Sequence, residues 1–148
     1  MPTYESDAAP MPAASGVALL LKGVDVGDVL DDIASSNPPA YLLRCFAEGL
    51  SAPYLSWPRV QQLAVCAMAL DAVVHARDYA GFEPELVADW RQHYAAPFAR
   101  LTAEAAQALR RARLRDSVVA DPAAAVPGNK AEVAAELVDL ERRLVGEG

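Results

Sequence analysis

Residues 64–76 read AVCAMALDAVVHA, a run that is apolar almost all the way round and carries Asp71 and His75 one helical turn apart inside it. A helix with no polar stripe belongs in the middle of a core, so this segment predicts a central helix that other helices must surround. The flanks agree. Ser56 is placed to cap the helix, Pro58 needs no donor in a first turn, and Leu55 with Val60 can close a hydrophobic staple across the cap. Downstream, Gly81 supplies an expected stop.

Working outward, DVLDDIASSN from Asp28 reads as a short helix with Val29, Leu30 and Ile33 inward, closed by Asn37 and Pro38. PAYLLRCFAEG follows, with Pro39 in a first-turn position and Gly49 as its end. Val87, Trp90 and Tyr94 mark one face of a helix that starts near Pro84 and breaks at Pro97. A further helix then carries Phe98, Leu101, Ala105, Leu109 and Ala112 inward, opposite Arg100, Glu104, Gln107 and Arg111. Residues 116–129 form a Pro/Ala-rich linker to the last helix, where Asn129 and Glu132 set up a capping box and Val133, Leu137, Leu140 and Leu144 form a seam.

These elements fit one domain over residues 17–148, an all-α bundle of about five or six helices, preceded by a Pro-, Ala- and Ser-rich tail over residues 1–16 expected to be disordered. VALLLKGVDV, at the start of that domain, reads either as a short strand or as a first apolar turn. The length of 148 residues and a hydrophobic share of 53% suit a single core. Ala and Leu carry most of that share, which favours helix over sheet. Arg far outnumbers Lys, and with the abundant Ala this is the bias of a GC-rich bacterial genome.

The formal charge of −7 repels phosphate backbones, so nucleic acid is not an expected partner. The N-terminal stretch has acids where a signal peptide needs positive charge, and VALLL is too short for an h-region or a membrane span. A cytoplasmic location without membrane contact is therefore expected. Cys45 and Cys66 lie in apolar helical patterns, where thiols act as small hydrophobes, and they form no CxxC site.

The two histidines each have an aspartate one turn before them, Asp71 with His75 and Asp89 with His93. On a helical wheel Asp71, His75 and Asp78 fall within roughly 60° of one another. If the two helices are antiparallel neighbours, Asp71, His75, Asp89 and His93 would converge into a two-imidazole, two-carboxylate set suited to zinc, iron or manganese. The simpler expectation is that Asp71 and His75 are a structural pair at the edge of the core, each satisfying the other. Bundle metal motifs, GxSxG and phosphate-cradling Gly-rich loops are missing from the sequence, so hydrolase and nucleotide-binding readings lack support and no cofactor is expected.

Arg110, Arg111, Arg113 and Arg115 form a basic run that either meets an anionic partner or, as the simpler expectation, complements the end of the helix dipole. Trp57, Trp90, Tyr54 and Tyr94 are candidate anchors for an interface, or core residues. The combined expectation is a small acidic protein–protein interaction module, of the inhibitor, immunity-like or adaptor kind, with another protein, basic in charge, as partner. The alternative is a metal- or small-ligand-binding bundle, with an enzyme among its readings, built on the two Asp/His pairs. The last helix is the candidate dimer contact, with self-docking the favoured reading because its seam spans only about two heptads.

Overall fold

The computed structural model describes residues 17–146, so the tail expected over residues 1–16 lies outside it. Among the described residues the chain forms six helices and no strand: α1 (Val26–Ala34), α2 (Pro38–Ser51), α3 (Trp57–Val74), α4 (Pro84–Ala99), α5 (Thr102–Leu114) and α6 (Lys130–Leu144). This is the all-α bundle that the apolar spacing predicts. Residues 17–24 are wound turns rather than a strand: Leu21 N donates to Val17 O over 3.0 Å and Val24 N to Leu21 O over 2.9 Å. The Glu136 carboxylate takes the free N–H groups of Leu19 and Leu20 at 3.1 and 2.9 Å, as an anion does at a helix N-terminus.

α3 is the axis of the molecule, in contact with all five other helices and buried continuously from Leu63 to Val73. Ser56 Oγ accepts from Arg59 N, and Leu55 and Val60 are both buried, as the cap and staple predict. Its end is a correction. The helix stops at Val74, before Gly81, because Ala76 turns into the left-handed region (φ 56°) and redirects the chain. The carbonyls left open there are filled from outside, Arg91 Nη2 reaching Ala72 O at 2.9 Å and Nε reaching Val73 O at 3.3 Å.

α2 likewise does not stop at Gly49 but runs on to Ser51, capped at its start by Asn37 Oδ1 on Ala40 N. Gly49 is the point of closest approach to α3, since a Cβ there would sit 2.7 Å from Leu63 Cδ2. Pro97 also behaves differently from the expected break. It lies in the last turn of α4, where few bonds remain to be lost, and the helix continues to Ala99 before Leu101 N turns back to Phe98 O at 3.0 Å. Phe98 therefore belongs to α4, stacked on Tyr94 at 6.0 Å between ring centroids and tilted against Trp90 at 6.0 Å.

Residues 116–129 connect α5 to α6 without hanging free. Leu55 N donates to Asp116 O at 2.8 Å and Val118 N to Leu55 O at 2.9 Å, forming an isolated parallel bridge between Leu55 and Ser117. Val118 and Val119 are buried, Ser117 Oγ donates to Ala112 O, and Lys130 Nζ donates to Asp121 O. Asn129 Oδ1 then caps α6 by accepting from Ala131 N and Glu132 N at 2.7 and 3.3 Å. The seam of Val133, Leu137, Leu140 and Leu144 is buried, with α6 packed on α5 and α3.

Candidate functional site

Asp71 sits in the last turn of α3 with its side chain fully buried, and the chain folds back over it. His75 Nδ1 lies 2.8 Å from Oδ1, within hydrogen-bond reach. Tyr79 donates its hydroxyl to Oδ2 over 2.6 Å. Arg77 Nε is 2.8 Å from the same Oδ2, a close ion pair whose N–H does not point along the line of contact. Arg143, buried on α6, lies beside the Tyr79 side chain and acts on it electrostatically. The pair expected at the edge of the core is thus a buried network that ties α3, the loop after it and α6 together.

Burial first, and then the Asp71 carboxylate, push the Tyr79 phenol far above its usual range, so it stays protonated and donates. The sign of the linkage follows. Unfolded tyrosine ionises near pH 10 while the folded one does not, so the stability contributed by Tyr79 is complete below that pH and is lost as pH rises through the folded value. The stability difference between wild type and Tyr79→Phe, measured by urea unfolding, is expected to hold constant on the acid side of pH 10 and shrink on the alkaline side. A difference that stays constant at high pH would show that Tyr79 ionises normally in the folded protein.

The second Asp/His pair is elsewhere. His93 Nδ1 lies 3.2 Å from Asp89 Oδ1 and 2.9 Å from the Asp89 carbonyl, and both side chains are more than half exposed. Arg91 is the α4 residue that reaches the end of α3, and residues two before and two after it point the opposite way. Asp71, His75, Asp89 and His93 therefore do not converge, which corrects the expected four-residue set. Among the described residues no group of three or more His, Cys, Asp or Glu side chains is gathered for a metal ion. A cleft of about 120 Å³ opens beside Tyr79, but Arg91 at its wall is already held by the α3 carbonyls.

Cys45 and Cys66 are buried and meet between α2 and α3. A hydrogen bond between the thiols lowers the Cys45 pKa and raises that of Cys66, whose burial raises it further. Trp90 is buried and Trp57 and Tyr94 half-buried in the core packing, whereas Tyr54 is exposed and donates to Asp121 Oδ2 at 3.2 Å.

The basic run divides into two roles. Arg111 is buried, contrary to its expected place on the solvent face, because its guanidinium reaches Gly49 O at 2.7 Å and Asp116 O at 3.4 Å, satisfying carbonyls at the ends of α2 and α5. Arg113 is bound to Glu141 of α6 by its Nε at 2.6 Å and Nη2 at 3.4 Å. Arg110 on α5 and Arg115 just after its end have no partner among the described residues and stand exposed.

Around Arg110 the surface is concave. Gln107 and Arg110 form a ridge with a depression on each side, one of about 340 Å³ against Arg142 and Val145 of α6, the other of about 310 Å³ against Leu50, Leu114 and Arg115. Leu114 is 58% exposed and Val145 56%, so each depression has a large apolar side chain open to solvent at its wall. The sequence did contain a signal for this ridge: Gln107, Arg110 and Leu114 recur at helical spacing on the face opposite Ala105, Leu109 and Ala112. Among the described residues, no helix is long and apolar enough to cross a membrane. No protein-family model, curated protein or solved structure matches this chain.

Proposed function

We propose that the chain is a small helical protein–protein interaction module, of the inhibitor or adaptor kind. The observation that carries this reading is the outer flank of α5, where exposed Leu114 and Val145 border a ridge with two unpartnered arginines, Arg110 and Arg115, among the described residues. Apolar side chains exposed beside a polar rim are the usual makings of a contact surface, since a partner would desolvate them and pair the charges around them. The depressions are open on one side, which suits a surface laid against another surface better than a small molecule enclosed on most of its area. The Asp71 network serves the fold: His75 and Tyr79 hydrogen-bond the carboxylate, and the partly exposed Arg77 forms an ion pair with it.

Affinity capture of the full chain from its native host, followed by reconstitution of any captured protein from purified components, tests the reading. One protein retained in stoichiometric amount and reconstituted as a complex is the expected result. Absence of any stoichiometric protein, together with a purified chain that retains a small molecule or metal, would overturn it.

A further inference from the structure

We infer that the α5 flank docks an acidic amphipathic helix presented by the partner protein. This inference rests on the interaction-module reading and names the chemistry of its partner. The first argument is charge. The chain carries −7 overall, yet Arg110, Arg111, Arg115 and Arg142 line the two depressions against a single acid, Glu141, which Arg113 already holds at 2.6 Å. Arg111 is committed to carbonyls, which leaves Arg110, Arg115 and Arg142 facing solvent with no partner among the described residues. A local positive field on a negative body selects acidic ligands and rejects basic ones at that place, the reverse of the basic partner expected from the overall charge. Asp116 and Asp121 bound the positive region beyond Arg115 and limit how far an acidic partner extends.

Shape supplies the second argument. Gln107, Arg110 and Leu114 form a ridge along one helix, with a furrow on either side, and the row from Ala106 to Arg115 is about 14 Å long. That is the form and length against which about three turns of a second helix pack, ridge into groove. Leu114, Val145 and Leu50 offer apolar contacts at both ends of the ridge, and the arginines stand between and beside them. An occupant that satisfies both has leucine-like residues on one stripe and carboxylates on its borders. Arginines arranged around apolar side chains favour this occupant over nucleic acid, whose phosphates would be repelled by the remainder of the surface.

The test uses the full chain and a fluorescein-labelled synthetic peptide of about three helical turns, with Leu at i, i+3, i+4 and i+7 and Glu at the flanking positions. A matched peptide with Lys in place of Glu is the control, and fluorescence anisotropy reads binding. The Glu peptide is expected to bind, more weakly as salt is raised, and the Lys peptide to fail. Arg110→Glu with Arg142→Glu is expected to weaken the Glu peptide by about tenfold or more, and Leu114→Asp to do so without changing the Lys result. All of these side chains are exposed, and circular dichroism checks that the variants remain folded. The inference is overturned if the Glu peptide does not bind, if both peptides bind alike, or if the charge reversals leave binding unchanged. Tighter binding of a single-stranded oligonucleotide or of phosphatidylserine vesicles than of the Glu peptide would also overturn it, in favour of nucleic acid or a membrane surface. A host protein still captured by the Arg110→Glu, Leu114→Asp chain would sink this inference while leaving the module reading in place. Loss of both is required to sink the two together.

Discussion

Asp71→Ala is expected to lower the free energy of unfolding by about 3–5 kcal/mol, the usual range for removing one partner of a buried ion pair. The side chain is fully buried and meets His75, Arg77 and Tyr79 at once, so its removal strands three groups. They do not suffer equally. His75 and Arg77 keep 27% and 25% side-chain exposure and recover part of their hydration, which places the cost in the lower half of that range. The Tyr79 hydroxyl is buried and has no such recourse. Asp89→Ala, which breaks an Asp/His pair of identical spacing on an exposed face, is expected to leave the urea midpoint where it is. Equal midpoints for wild type and Asp71→Ala would mean that water enters the network and that the contacts around Asp71 contribute nothing.

The contrast between these two pairs shows where a sequence stops being legible. Ser56, Asn37, Asn129 and the prolines beside them act on backbone groups two or three residues away, so caps and helix starts could be read directly. The helix ends that differ from expectation are set by distant partners. The carbonyls at the end of α3 are satisfied by Arg91, 19 residues along the chain from Ala72, and Arg111 is drawn inward by the carbonyl of Gly49, 62 residues away. Both pairs have one spacing, but Asp71 lies on a helix buried all the way round over this stretch, whereas Asp89 lies on the exposed face of α4, away from the Arg91 contact to α3. The α5 flank was half legible. The basic run was visible as charge, but its division into buried Arg111, bridged Arg113 and free Arg110 depends on where α2 and α6 lie.

Leu137→Ala and Leu140→Ala are each expected to cost about 2–5 kcal/mol, by lost transfer energy and the cavity left behind, with no change of mass in solution. Both leucines are fully buried in the α6 seam, and a 15-residue helix alone in water is marginal, so α6 depends on this contact to exist. The effect does not end with the seam. Glu136 on α6 holds the first turns through Leu19 and Leu20, Glu141 holds Arg113, and Arg143 lies beside Tyr79, so a loosened α6 releases both ends of the molecule. The double variant is therefore expected to lose more than the two single variants added together. An exchange of α6 between two copies would bury the same leucines and would fall to the same replacements. What opposes exchange is the connection itself: residues 116–118 are bonded to Leu55, and Lys130 is bonded to Asp121. The connection is thereby tied to the body of the bundle immediately after α5 and folded back on itself at the start of α6. A swapped dimer must open one or the other set of bonds, according to where the connection hinges, before the seam can leave. Light scattering decides between the two, because a wild-type dimer that the leucine replacements split into folded monomers would make α6 an interface, whereas an unchanged monomer mass across the series assigns the seam to its own bundle.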